Sequence, residues 1–144
     1  MRHPRHSLTG ISLFLLMGLI GCAKEGPVCY PVRGQVSLNG KPLAEALVVL
    51  HSLDGRVEGG QQPIATTDDQ GRFSMSTFAT GDGAPRGHYA LTVELRAPRA
   101  VGEEVIRSGP NLLPPRYGSA KSSRFRYEIV DGENDLPPIR LSAS

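Results

Sequence analysis

Short runs of the chain alternate apolar and polar side chains, which is the pattern of a β-strand with one buried face. The clearest is 88–95, where Tyr89, Leu91 and Val93 share one face. The run 46–51 is apolar on both faces, which predicts a strand that is covered on two sides or that faces a partner. The runs that predict strands are 32–38, 46–51, 64–67, 73–75, 89–95, 125–129 and 139–141. The side chains predicted to face inward are Val36, Val48, Leu50, Phe73, Tyr89, Leu91, Val93, Tyr127 and Ile129.

Turn-forming sequences separate these runs. Asn39-Gly40 is a strong hairpin signal, because both central positions of that turn need positive φ. In 68–71, Asp68 can accept a backbone N–H and Gly71 allows a tight turn. No run has the apolar spacing of a helix, and the 17 Gly and 12 Pro residues favour strands joined by turns. The sequence therefore predicts an all-β domain built as a β-sandwich.

The segment 97–123 loses this alternation and contains several prolines and glycines. The pattern predicts a long connection without regular structure, with a turn of helix possible at 102–107. We expect this segment to be the functional edge of the domain, and we expect Leu113 and Tyr117 to hold its C-terminal part against the sandwich as candidate binding residues. Residues 101–109 are expected to stay mobile and available to a partner. The alternative is an insertion without a role.

The N-terminal residues have the pattern of a secretory signal peptide. A basic start is followed by the apolar run 8–20, which is too short to span a bilayer as a stable helix. Leu19-Ile20-Gly21-Cys22 resembles the lipobox of bacterial lipoproteins. This resemblance implies cleavage before Cys22 and acylation of its thiol and new amine, with palmitate-type chains holding the protein on a membrane. By resemblance to the sorting rule of well-studied diderms, Ala23 after the cysteine favours the outer membrane facing the periplasm, or the cell surface.

This processing changes the charge and the cysteine count. Removing residues 1–21 takes away Arg2 and Arg5, which leaves 14 basic side chains against 14 acidic ones. The balanced charge predicts no nucleic-acid partner. With Cys22 lipidated, Cys29 is left unpaired, either as a tolerated thiol or as one half of an intermolecular disulfide.

Several motifs together resemble a known family. Val32-Arg33-Gly34-Gln35-Val36, Asn39-Gly40-Lys41-Pro42-Leu43, Thr67-Asp68-Asp69-Gln70-Gly71-Arg72-Phe73 and Pro85-Arg86-Gly87-His88-Tyr89 are similar, in this order, to carboxypeptidase-regulatory-like domains, also called transthyretin-like or prealbumin-like. Leu113-Pro114-Pro115-Arg116-Tyr117 resembles the branch found as small lipoproteins in planctomycete-type bacteria. The resemblance implies a single seven-stranded Greek-key β-sandwich. The predicted organisation is a signal peptide at 1–21, a lipidated tether at 22–31 and the sandwich domain at 32–141.

The sequence predicts no catalytic site, no metal site and no cofactor. His51 and His88 are the only histidines after residue 21, and no metal-ligand spacing surrounds them. Asp68, Asp69 and Asp82 are too few for a calcium shell, and the first two are better explained as turn residues.

Three functions remain as predictions. The first is a membrane-anchored, non-enzymatic envelope lipoprotein with a β-sandwich binding or structural module, with a protein or a glycan as its partner. The alternative is a protein-binding subunit of a larger envelope assembly. The distant third is a transthyretin-related hydrolase, and its motif argues against it. Arg116-Tyr117-Gly118-Ser119 has the first two residues of the Tyr-Arg-Gly-Ser of those enzymes exchanged and lies inside the chain, whereas theirs is terminal, and no histidine precedes the first strand after residue 21.

Overall fold

A computed structural model describes residues 26–55, 57 and 59–144. The predicted signal peptide and Cys22 lie outside these residues. Within them the chain is nearly all β, which confirms the all-β prediction. The strands are β1 (Cys29–Tyr30), β2 (Val32–Leu38), β3 (Lys41–Pro42), β4 (Leu47–Ser52), β5 (Ile64–Thr66), β6 (Arg72–Ser74), β7 (Ala84–Pro85), β8 (Gly87–Glu94), β9 (Arg96–Val101), β10 (Glu104–Asn111), β11 (Arg126–Ile129), β12 (Asn134–Asp135) and β13 (Ile139–Leu141), and a 3-10 helix spans Pro115–Tyr117.

Two sheets carry the architecture. One is antiparallel with the strand order β11-β8-β4-β5. In the other, β2 is the middle strand: it pairs antiparallel with β3 and β6 along one edge and parallel with β12 and β13 along the other. As Pro137-Pro138 predicts, β13 lies at an edge, because β2 is its one partner among the described strands.

The core lies between the two sheets. Eight of the nine predicted inward-facing side chains are buried, and Tyr127 is half-buried against them. The strand β8 is also buried on its second face, at Ala90 and Thr92. On β4, by contrast, Leu47 and Val49 are half-buried, so the face predicted to be covered or to meet a partner is partly open.

Local turn chemistry agrees with the sequence. Asn39 and Gly40 both have positive φ, at 51° and 80°, as the hairpin between β2 and β3 requires. Gly34 lies opposite Phe73 on the neighbouring strand, and an added Cβ would come within 2.5 Å of its ring. The glycine in β2 therefore makes room for a core aromatic ring.

The prediction of an irregular segment over 97–123 is wrong for its first half. β9 and β10 form an antiparallel hairpin closed by a two-residue turn, in which Gly102 takes the positive φ of 64°. Pro98 fits because the hairpin is a separate two-stranded sheet, so no third strand needs an N–H from its outer edge. The turn of helix suggested for 102–107 is likewise absent from this part of the described chain.

The N-terminal end of the domain begins earlier than predicted. Cys29 and Tyr30 pair with Pro85 and Ala84, so residues assigned to the tether form β1. Gly83 packs tightly on this strand, since a Cβ there would lie 1.8 Å from the Tyr30 carbonyl oxygen. Across the described residues, no helix is both long enough and apolar enough to cross a bilayer.

Candidate functional site

The hairpin of β9 and β10, called here the arm, is exposed along most of its length. Every residue from 98 to 108 is exposed, on both faces of the two strands. Its apolar side chains are in contact with solvent: Val101 is 54% exposed, Val105 71% and Ile106 43%. A soluble domain seldom leaves β-branched side chains this open unless another surface covers them.

The two edges of the arm differ in their backbone donors. Pro98 lies opposite Arg107, and a proline has no N–H, so this pair belongs to the non-hydrogen-bonded positions of the ladder. The pair of Ala100 and Val105 lies two residues nearer to the turn, so it is also a non-hydrogen-bonded pair. The N–H and C=O groups of Val105 and Arg107 therefore point outward along β10, whereas the edge of β9 lacks the donor at Pro98.

Charged side chains connect the base of the arm to the sandwich. The Arg107 guanidinium donates to the Glu45 carboxylate and to the Arg96 carbonyl oxygen, and it lowers the pKa of Glu45 through the hydrogen bond and its charge. Arg96 in turn pairs with Glu94 at 2.7 Å. These groups line an open cleft of about 350 Å³ together with Leu47 and Thr66.

The chain after the arm is fixed to the core, as predicted. Asn111 accepts the N–H groups of Leu95 and Leu113 on its side-chain oxygen, at 3.0 and 3.1 Å. Leu113 and Tyr117 are each 4% exposed and belong to the core, whereas Leu112 is 58% exposed. The two predicted binding residues thus support the surface around them, and they offer little side-chain area of their own to a ligand.

The hydroxyl of Tyr117 is hydrogen-bonded at the edge of the core. Its hydroxyl accepts the N–H of Ser142 at 2.9 Å and a hydrogen bond from Arg116 at 3.3 Å. Burial raises the pKa of this phenol, but the hydrogen bonds from Ser142 and Arg116 lower it more, to about 8. Within Arg116-Tyr117-Gly118-Ser119, the tyrosine hydroxyl is therefore hydrogen-bonded to Ser142, which follows β13.

His88 lies on the surface between two carboxylates. Its Nδ1 is 3.1 Å from Asp54 Oδ2 and its Nε2 is 3.9 Å from Glu128 Oε1. The backbone N–H of His88 also donates to Asp54, which lowers the pKa of that carboxyl group. His51, on the same sheet, forms a hydrogen bond of 2.9 Å between its Nε2 and Thr92 Oγ1. Burial lowers the pKa of His51.

The aspartates of the two turns accept backbone hydrogen bonds. Asp68 accepts the N–H groups of Gln70 and Arg72, each at 2.9 Å, which confirms the predicted turn role and lowers its pKa. Asp82 accepts three successive N–H groups, those of residues 77–79. The carboxylates of Asp68 and Asp82 are therefore hydrogen-bonded to the backbone of their own turns.

The two cysteines lie in different parts of the chain. The Cys29 thiol is half-buried in β1, and burial raises its pKa. Cys22 precedes the described residues, so its lipidation stays a prediction.

Comparison with known proteins gives no further assignment. Neither family models, nor curated proteins, nor solved structures match this chain. The resemblance to carboxypeptidase-regulatory-like lipoproteins therefore stays an expectation based on the quoted motifs.

Proposed function

We propose that this protein is a lipid-anchored, non-enzymatic binding module of the cell envelope, held by Cys22 to the outer membrane facing the periplasm or at the cell surface. Its domain is a seven-stranded Greek-key sandwich of the carboxypeptidase-regulatory-like type, and its arm binds an extended segment of an envelope protein. The observation that carries this proposal is the uninterrupted exposure of residues 98–108.

An isolated two-stranded hairpin is only marginally stable in water. The arm therefore gains from a third strand that covers its apolar side chains and satisfies its outer backbone groups. Proteins normally blunt such edges with charge, proline or cover. Pro98 blunts β9, while the edge of β10 keeps its donors at Val105 and Arg107.

Addition of a partner strand to β10 would use main-chain hydrogen bonds for affinity and alternating side chains for selectivity. Val105 and Ile106 would supply the apolar contacts on opposite faces of the extended sheet. The acidic residues Glu103 and Glu104 at the turn disfavour insertion of the tip into an anionic membrane surface. A protein strand is therefore the occupant that we favour over lipid.

The lipobox-like sequence Leu19-Ile20-Gly21-Cys22 supports the cellular location. Two or three acyl chains give stable anchoring, because one chain alone is marginal. A short tether before β1 would hold the sandwich close to the membrane, so the partner is expected to be an envelope protein.

The test is photo-cross-linking of the full-length lipoprotein in intact cells, with benzoylphenylalanine at Val105. We expect one discrete adduct, and we expect Val105→Pro, with the probe moved to Ile106, to abolish it. The proline removes the outward N–H while leaving the inner ladder to β9 intact, as Pro98 already does on the opposite strand.

Val105→Thr with the probe at Ile106 is the matched control, since it keeps the N–H and the β-branched shape. The probe at exposed Phe78, outside the arm, controls for non-specific capture. An adduct of equal yield in the proline variant would contradict strand addition to β10.

A further inference from the structure

Basic side chains without acidic neighbours are concentrated in two segments of the sequence, although the predicted mature chain is neutral. Residues 112–127 carry Arg116, Lys121, Arg124 and Arg126, and they include no Asp or Glu. Residues 136–144 add Arg140, again without an acidic side chain. Contacts between the two segments decide whether these charges act together.

The structure joins the two segments along one surface. The Arg116 guanidinium donates to the Ser142 carbonyl oxygen at 3.0 Å and also to the Ser144 carbonyl oxygen. Arg124 donates to the Arg140 carbonyl oxygen at 3.3 Å. These contacts bring Arg116 and Arg124 together beside residues 140–144, on a surface called here the basic face.

A small cleft lies within the basic face. Its lining residues are Arg116, Tyr117, Ser122, Arg124 and Phe125, and its volume is about 70 Å³. At roughly 30 Å³ per liquid water molecule, this is room for about two waters or for one compact oxyanion. Two guanidinium groups and the hydroxyl of exposed Ser122 are the polar donors around it.

Aromatic rings hold both guanidinium groups in place. The Tyr117 and Phe125 rings stack with their centroids 6.3 Å apart. The Arg116 Cζ lies 4.8 Å from the Tyr117 ring centre, and the Arg124 Cζ lies 5.2 Å from that of Phe125. Among the described residues, every hydrogen bond from Arg116 and Arg124 comes from a single nitrogen of each guanidinium group, Nη2. The Nη1 and Nε atoms therefore keep N–H donors for an anion.

The two arginines also differ from others in their ion pairing. Among the described residues, Arg33, Arg72, Arg86, Arg96 and Arg107 each have a carboxylate within 4.0 Å. Within that same part of the chain, Arg116 and Arg124 have no Asp or Glu carboxylate within this distance. The oxygens that they contact belong to hydroxyl groups, to backbone carbonyls and, for Arg116, to Ser144, the last residue of the sequence. Their charge is thus not neutralised by a neighbouring side chain.

We propose that this cleft binds a phosphate group between Arg116 and Arg124, either from a lipid headgroup or from a soluble phosphate compound. Phosphate fits two fixed guanidinium groups because it accepts several charge-assisted hydrogen bonds at once. Ser122 would donate a further bond. This inference is independent of the arm, which is a separate element.

The test uses Tyr117 as the reporter, since its hydroxyl accepts from Arg116. The lipoprotein is held in dodecyl maltoside micelles, which contain no phosphate, and the tyrosine ionisation is followed by isotope-edited NMR. Burial raises the pKa of each of the other three tyrosines, Tyr30, Tyr89 and Tyr127, so Tyr117 is expected to ionise first. An anion bound beside Arg116 should raise the pKa of Tyr117, and inorganic phosphate should do so saturably.

Arg124→Gln removes one side of the cleft without touching Tyr117, and it should weaken phosphate binding by about tenfold or more. Arg99→Gln, an exposed arginine on the arm, is the matched control and should bind as wild type. Equal phosphate affinity in wild type and Arg124→Gln, or no saturable response at all, would overturn the proposal.

A second measurement separates the two sources of phosphate. In phosphatidylglycerol vesicles without added phosphate, a lipid-headgroup site predicts a larger rise of the Tyr117 pKa in wild type than in Arg124→Gln. The same rise in both variants would reflect surface potential alone. If both variants showed the same rise in these vesicles and wild type bound inorganic phosphate in the first measurement, the cleft would be assigned to a soluble compound.

Discussion

Leu91 occupies the middle of β8 and exposes none of its surface. Leu91→Ala should lower the free energy of unfolding by about 2–5 kcal/mol, because it leaves a cavity as well as losing apolar burial. Urea unfolding measures this change. Leu112→Ala is the control: its side chain is 58% exposed, and a surface change of this kind stays within about 0.5 kcal/mol. Equal costs for the two variants would contradict the position of the core.

Tyr117 links stability to pH. Its pKa of about 8 in the folded protein lies below the usual phenol value. Between pH about 8 and 9 the unfolded chain keeps a proton that the folded chain has lost, so the free energy of unfolding rises with pH. Above about pH 9 the Cys29 thiol opposes this, because its raised pKa gives stability that is lost as pH rises.

The prediction is therefore that Tyr117→Phe removes the rise across this window. Urea midpoints of wild type and variant, measured at several pH values, test it. Tyr127→Phe serves as control, since burial raises the pKa of Tyr127 and it stays protonated there. If Tyr117→Phe kept the full slope, the rise would belong to another group.

The arm and the segment after it should differ in hydrogen exchange. Leu112 N–H donates to the Leu95 carbonyl oxygen at 2.8 Å beside the buried Leu113, so this segment should be protected. The amides of 101–108 should exchange fast, because an isolated hairpin opens at little cost. Mass-spectrometric exchange on the isolated lipoprotein measures both.

Partner binding would reverse the behaviour of the arm while leaving the sandwich unchanged. Slow exchange at Ile106 in the isolated protein would show that the arm is stable without a third strand. In that case the energetic reason for strand addition would disappear.

For the whole molecule, the decisive residue is Cys22. Cys22→Ser should abolish partition into the membrane and cause the precursor to accumulate, because no acyl chain can be attached. Cell fractionation and intact-mass analysis measure this. Cys29→Ser is the matched control and should fractionate as wild type. An unmodified mature N-terminus in the wild-type protein would rule out lipidation.

Much of the sandwich follows from local sequence. The alternation in 32–38 and 88–95 predicts which side chains of β2 and β8 are buried, because a strand turns successive residues to opposite faces. Asn39-Gly40 predicts its hairpin, because few other residues accept positive φ at both positions. Tyr89 is buried as predicted, and in the structure its hydroxyl donates to the Pro85 carbonyl oxygen at 2.8 Å.

Other features depend on contacts between distant segments, and only the tertiary structure decides them. Pro98 and Gly102 suggest a segment without regular structure when they are counted as strand breakers. In the hairpin, Pro98 lies at a position where a backbone N–H would point outward, and Gly102 lies in the turn. Both placements depend on the residues that lie opposite in the paired strand. In the same way, Arg116 and Arg124 form one cleft because Tyr117 and Phe125 stack and residues 140–144 return beside them. Local periodicity determines which faces are buried, whereas the pairing of segments far apart in sequence determines which charges and open edges meet.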